Sequence, residues 1–386
     1  MTSWLQGWSY RKSKVIVHAT NAGANYQIKL ILHNGSGTDN NTDVFLNNHC
    51  TSFPNDIDFT ASDGTTEWDF FIENPSTDPC ICWIEVKDDL GNATQANNSS
   101  LYIYYGKSEQ SSLSNGTNTF LFFEDFNSYS DGDLNGQGGW SGDAGYFTVE
   151  GTTVYEGAKT VEGYTSTTVL KSIKKELSNM PNNFEIISHI RVSAINSHGG
   201  YVRVLNQNSA TIGGKHMNVN NQFQVQGRTS ATDGSFTNDT WYVWQLQFRE
   251  SDQYERVSGG NQAFSDWVAP SNTGTPSYIR LLIYNGVVHS YFDLIFIKKY
   301  ITSEPAHGSW GSEETSGAWY QAETWNTTTY TLKWFLSEVW SLINIYGNVP
   351  SYGIYTTPIF PVLLFCGFIT FIFAFLLIRK RGHKNV

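Results

Sequence analysis

Residues 241–249 read Trp-Tyr-Val-Trp-Gln-Leu-Gln-Phe-Arg and alternate without a break. Tyr242, Trp244, Leu246 and Phe248 fall on one side of an extended chain, and Trp241, Val243, Gln245, Gln247 and Arg249 on the other. A period of two belongs to a strand, because successive side chains of an extended backbone point to opposite faces. The same period recurs nearby. Over 184–192, Phe184, Ile186, Ile190 and Val192 oppose Glu185, Ile187, His189 and Arg191. Over 222–226, Phe223 and Val225 oppose Gln222, Gln224 and Gln226, and over 201–204, Val202 and Val204 oppose Tyr201 and Arg203. Strands with one apolar and one polar face build a β-sandwich, each sheet burying its apolar side against the other.

Outward from this stretch the pattern holds. Short strand-like runs at 14–18, 26–32, 82–86 and 101–105 are separated by Asn-Gly-Ser, Ser-Asp-Gly and Leu-Gly-Asn turns. Runs this short, punctuated this often, indicate sandwiches rather than βαβ units. The 386 residues carry 15% aromatic and 15% charged side chains and a net charge of −11, from 24 Lys plus Arg against 35 Asp plus Glu. Aromatics this dense fill cores and exclude a disordered chain. The acidic balance excludes nucleic acid as a partner, because phosphate binding needs a basic footprint.

Three stretches of the N-terminal third carry a resemblance: Trp4-Leu-Gln-Gly-Trp8-Ser-Tyr10-Arg-Lys, the Asp56–Asp58–Phe59 element, and Tyr104-Tyr105-Gly106. They resemble a β-rich domain family of unknown function, the DUF2341 type, found in archaeal and bacterial surface proteins. The family has no agreed catalytic residue, so the resemblance implies location more than chemistry. Ser128 to Gly142 and Tyr291 to Pro305 resemble concanavalin A-like lectin and glucanase (LamG-like) jelly rolls, which often follow the first family.

The C-terminal part has a different character. Residues 301–330 are rich in Ser, Gly, Thr and Glu and read as a linker. Leu332, Phe335, Val339, Leu342 and Tyr346 then recur at spacings of three and four, ended by Gly347. This predicts an amphipathic helix over 331–347, lying on a membrane surface, packing under the preceding domains, or joining copies into a homo-oligomer. Residues 359–378 hold no charge, and a helix of that length spans a lipid core of about 30 Å. The tail 379–386 has four basic and no acidic residues, leaving 20 basic against 35 acidic before it. The positive-inside rule places this tail in the cytoplasm and the long N-terminal part outside. Met1-Thr2-Ser3-Trp4 opens without a basic or apolar leader. That leaves open a different start, a missing signal, another export route, or a tail-anchored protein facing the cytoplasm.

The expected architecture is therefore all-β, with two tandem sandwiches followed by an amphipathic helix and one transmembrane helix. The units are a β-sandwich at 1–122, a concanavalin A-like jelly roll at 123–300, a linker at 301–330, a helix at 331–347, a span at 358–378 and a basic tail at 379–386. Cys50, Cys80 and Cys82 lie before the span, which holds Cys366, so they form at most one disulfide. Eight Asn-x-Ser/Thr sequons occur and permit glycosylation without arguing for it.

Catalytic signals are sparse. Glu250-x-Asp252-x-x-Glu255 is the place for the paired carboxylates of a glycosidase, which in retaining enzymes stand about 5 Å apart. The surrounding residues lack apolar alternation and read instead as a hairpin turn. No nucleophile elbow, phosphate loop or zinc-type His spacing is present in the sequence, and no catalytic residue is assigned. Asp131-x-Asp133-x-Asn135-Gly136 begins like an EF-hand loop, but its twelfth position is Gly142 instead of Glu. In jelly rolls of the resembled type the first and last strands lie together and often hold a structural calcium ion. Glu124, Asp125 and Asp293 are the expected oxygen ligands there.

The polar strand faces supply the binding expectation. Trp241, Tyr201, Arg203, Arg191, His189, Gln224 and Gln245 are expected to converge on one surface, where rings pack on sugar C–H groups and amides and guanidinium satisfy hydroxyls. A solvated sheet face with cross-strand Gln pairs is the plain alternative. The expected function is a membrane-anchored surface adhesin that recognises a glycan or cell-surface receptor, one version being a virion spike attaching to an archaeal host. A structural envelope component without a specific ligand, and a glycan-cleaving enzyme, are the other classes.

Overall fold

The computed structural model describes residues 3–316 apart from 92–97, 182, 195–198, 218–222, 226–234, 250–253, 260–262, 265, 270–271 and 285–287, together with 320–321 and 334–335. The fold is all-β. The first seven strands are β1 (Tyr10–Val17), β2 (Tyr26–His33), β3 (Asp43–Phe45), β4 (Ile57–Ala61), β5 (Phe70–Glu73), β6 (Cys80–Val86) and β7 (Ser99–Tyr105). One sheet has the order β3-β2-β6-β5, and the second contains β1-β7-β4. The inward residues of β2, Ile28, Leu30 and Leu32, meet Phe59, Leu101 and Ile103 of the second sheet in one core. Cys80 and Cys82 are buried in that core, and Cys50, Cys80 and Cys82 are free thiols.

A single helical turn, α1 (Gly116–Thr119), is capped by the side chain of Asn115, which accepts from the Asn118 N–H. The chain then enters the second sandwich. Its strands are β8 (Phe122–Glu124), β9 (Gly132–Asp133), β10 (Ser141–Gly142), β11 (Phe147–Glu150), β12 (Thr160–Gly163), β13 (Lys171–Glu176), β14 (Asn183–Val192), β15 (Tyr201–Asn206), β16 (Thr211–Met217), β17 (Phe223–Val225), β18 (Tyr242–Arg249), β19 (Tyr254–Gly259), β20 (Pro276–Ile283) and β21 (Ser290–Lys299). An eight-stranded sheet runs β19-β18-β14-β21-β12-β11-β9, with β8 also paired to β21. A six-stranded sheet runs β10-β13-β20-β15-β16-β17. The first and last strands of this unit, β8 and β21, lie side by side, as the jelly-roll resemblance implies. Trp244, Leu246, Phe248, Phe184, Ile186, Ile190, Val202 and Val204 all enter the core, so the alternation in the sequence has the right phase.

Two expectations about the C-terminal side are corrected. Residues 306–315 are not linker: β22 (Ala306–Trp310) and β23 (Glu314–Thr315) return to the first sandwich and pair with β1. The reason is an unmet need on β1, where Lys14 is completely buried and its ammonium donates to the carbonyls of Asn41 and Gly308. Without β22 that cation would lose an acceptor, and β1 would be an open edge. Trp334 and Phe335, expected in a helix, form the short strand β25 (Trp334–Phe335) paired with β24 (Tyr320–Gln321). The rest of 331–347, the apolar run 359–378 and the basic tail lie outside the described residues. Among the described residues no helix is long and apolar enough to cross a membrane.

Candidate functional site

The two sandwiches dock face to face. The outer face of β5 and β6 presents Phe71 and Trp83, which pack with Phe120 against Ile187, Leu294 and Phe296 on the outer face of the eight-stranded sheet. Phe296 is central, its ring 4.2 Å from Phe120 and 5.5 Å from Trp83. Polar groups ring this cluster. Lys298 bridges Glu185 at 3.1 Å and Glu304 at 2.6 Å, and the Lys299 N–H donates to Gln27. Glu73 faces His189 at 3.2 Å across the junction.

His189 is fully buried, and so is the chemistry around it. Its Nδ1 bonds the Leu294 carbonyl, its ring stacks on Tyr155 at 4.0 Å, and its Nε2 meets Glu73. Burial works to discharge the imidazole, but Glu73, the Leu294 carbonyl and Asp293 outweigh it and hold its pKa above the ordinary value. Burial likewise works to protonate Glu73, and His189 and the Trp83 indole N–H outweigh it in turn. A register shift in β14–β21 between Ile187 and His189 accompanies this site. The Asp293 carboxylate accepts from the Tyr155, Glu156 and Leu294 N–H groups. Burial pushes Asp293 up to about 7 despite those donors, and its neighbour Glu156 up to about 7 despite the Asn74 N–H it accepts from.

The expected ligand face therefore does not form as one surface. His189 lies inside the junction. Arg191 pairs with Asp239 at 2.7 Å, Trp241 meets Tyr155 edge-on at 5.8 Å, and Gln245 accepts from Ser258. All four belong to the eight-stranded side, and of them only His189 enters the junction with the first sandwich, the other three being partnered within the second. Tyr201 and Arg203 lie on the opposite sheet, as does Gln224 by its register beside His216. Alternation assigns a residue to a face of its own strand but cannot say which sheet that strand joins, nor what covers it.

The six-stranded sheet brings together a different set. On its outer face Tyr201, Arg203 and Leu205 of β15 lie opposite Leu282, Arg280 and Tyr278 of β20. Lys174 of β13 lies opposite Arg280, and its ammonium stands 4.1 Å over the Tyr278 ring. Arg203 stands 4.8 Å over Tyr201. Leu205 and Leu282 are buried and form an apolar floor, while Arg203, Arg280, Tyr278 and Lys174 are half-buried above it. Tyr278 and Arg280 were legible in the alternation of 278–283, where they oppose Ile279, Leu281 and Ile283. Only the strand pairing sets them beside Tyr201 and Arg203.

The expected calcium ligands are otherwise engaged. Glu124 accepts from the Trp140 indole and the Tyr129 hydroxyl and carries the Lys175 ammonium at 2.7 Å, so a cation already meets its charge. Asp125 accepts from the Asn127 N–H. Asp293 holds backbone donors at the interdomain junction, and among the described residues no group of three or more His, Cys, Asp or Glu is placed to hold a metal ion. Of the acidic trio at 250–255, Glu250 and Asp252 lie outside the described residues, and Glu255 belongs to β19, which forms a hairpin with β18. In the first sandwich Asp56 is buried and accepts from the Thr51 backbone and hydroxyl. Asp58 lies beside Glu67, and burial, then that second carboxylate, push it up to about 7.

Comparison with solved structures returns β-rich proteins at low similarity. A protein titled "Sialidase" is 10% identical with a TM-score of 0.37 over 53% of this chain, which spans about a fifth of that protein (20%). A legume lectin-like domain from Entamoeba histolytica is 10% identical with a TM-score of 0.27, over 40% of this chain and 91% of that one. Lectin II from Ulex europaeus is 7% identical with a TM-score of 0.34, over 47% and 99%. No curated protein matches the chain. Residues 54–141, from the start of the Asp56–Asp58 element through α1 to the first strands of the second sandwich, match the family model described as "Domain of unknown function (DUF2341)".

Proposed function

We propose that this chain is a membrane-anchored surface protein whose second sandwich recognises glycans through the outer face of its six-stranded sheet. The carrying observation is the asymmetry between the two outer faces of that sandwich. One is covered along β14 and β21 by the first sandwich, across the Phe71–Trp83–Phe296 cluster. The other sets Tyr278, two arginines and a lysine over a buried floor of Tyr201, Leu205 and Leu282. Sugars suit such a surface, because aromatic rings cover their C–H faces and fixed N–H donors take their hydroxyls. Anchoring rests on the uncharged run 359–378 and the basic tail, with the sandwiches outside.

A glycan array probed with the intact chain in detergent tests the reading, with Tyr278→Ala as the control for the face. Recognition predicts a discrete set of bound glycans whose signal falls in the variant. The buried docking of the two sandwiches favours a second reading, a structural envelope component. An array with no bound glycan would select it, and bound glycans indifferent to Tyr278 would move recognition away from this face.

A further inference from the structure

Arg203 and Arg280 are direct cross-strand partners, with Lys174 next in the same row. Side chains in that relation start about 5 Å apart at Cβ, and like charges so placed repel. Among the described residues neither arginine pairs with a carboxylate. The Nε of each is buried and has no acceptor there. Among the described residues the Arg280 guanidinium donates to the Thr211 hydroxyl, at 3.1 Å. Burial, then Arg203, lowers Arg280 to about 10. In a chain with 35 acidic and 24 basic residues, acids are plentiful enough to have been placed here.

We propose, resting on the reading of this face as a glycan site, that the Arg203–Arg280 pair is a carboxylate subsite and that the ligand is an acidic polysaccharide of the uronate class. A guanidinium presents a planar fork that takes both oxygens of a carboxylate, and one carboxylate between two forks would cancel their repulsion. Tyr278, half-buried and flanking the pair along β20, would cover a sugar ring beside the carboxylate, while the buried Tyr201 supports the pair from below. Gly214 lies across from Arg203 in the next strand with φ at +154°. A Cβ there would stand 2.8 Å from the Arg203 side chain, so glycine leaves that guanidinium stem its room.

The intact chain in detergent is titrated with polygalacturonate, dextran sulfate and dextran, and thermal midpoints are recorded in parallel. Polygalacturonate should bind best, and Arg203→Met and Arg280→Met should each weaken it about tenfold to a hundredfold. Arg203→Lys and Arg280→Lys keep the charge but lose the fork. They should still lose about tenfold, and they carry the test if the Met variants unfold. Preference for dextran sulfate, or polygalacturonate binding unchanged in folded variants, would overturn the subsite. Binding of dextran alone, sensitive to Tyr278→Ala, would leave glycan recognition standing and remove the acidic class. No glycan bound at all would remove both.

Discussion

Replacing Glu73 by Ala tests whether the junction between the sandwiches is held by charge as well as by rings. Glu73 and His189 are 4% and 0% exposed at the side chain and 3.2 Å apart. Removing one member of a buried ion pair leaves the other uncompensated and costs about 3–5 kcal/mol. The substitution also strips the acceptor from the Trp83 indole N–H, 3.1 Å from Glu73, which belongs to the same loss. Glu73→Gln keeps an acceptor for Trp83 and should cost less, about 1–3 kcal/mol. The pH dependence separates the charge from the packing. The folded pKa of His189 lies above its ordinary 6.5, so its share of stability is complete below that value and is lost as pH rises through the folded pKa. The folded pKa of Glu73 lies below its ordinary 4.5, so its share is complete above that value and is lost as pH falls through the folded pKa. The pair is therefore strongest between about pH 4.5 and 6.5. Urea unfolding followed by tryptophan fluorescence, at about pH 5.5 and about pH 9, reads both effects. Glu73→Ala should lose most at the lower pH, and the gap to the native chain should narrow at the higher. A loss under about 1 kcal/mol at the lower pH, or a gap that widens with pH, would refute the ion-pair account.

Trp244 is 2% exposed within the second core, so Trp244→Ala should cost about 3–5 kcal/mol in a denaturation curve, while the half-buried Trp241→Ala should cost clearly less. Asp58, pushed up to about 7, binds its proton more tightly when folded, so the stability it contributes is present below its ordinary 3.8 and lost as pH rises toward about 7. Asp58→Asn should flatten the pH dependence of the melting temperature over that range and raise the midpoint at about pH 8. Ending the chain at Pro305 removes β22 and β23 and leaves the Lys14 ammonium, also lowered to about 8 by burial, without the Gly308 carbonyl. Such a truncation should destabilise the first sandwich by about 1–3 kcal/mol or more, read as a lower melting midpoint, with the second sandwich spared.

Local pattern carries local information, and this chain shows how far that reaches. The alternation in 241–249, 184–192 and 201–204 placed Trp244, Phe248, Ile186 and Val202 in the core, because a strand has two faces and only one set of these side chains can be buried cheaply. All-β architecture followed from the same period and the short turn-bounded runs. The polar faces were legible as polar, but their fates were not. His189, Glu185 and Gln247 looked like a wet surface and are buried, since charged and amide groups are tolerated inside where Glu73 faces His189, Lys298 faces Glu185, and Gln247 bonds Glu185 and Arg256. Nothing within 301–330 announced that 306–310 would pair with β1. That pairing joins residues about three hundred positions apart, and its cause is the buried Lys14 at the other end of the contact. Arg203 and Arg280 are 77 positions apart in the chain and became neighbours only when β15 and β20 aligned. Which residues share a face is a property of one strand. Which faces meet is decided by the pairing and docking of strands from distant parts of the chain, through contacts that no local spacing encodes.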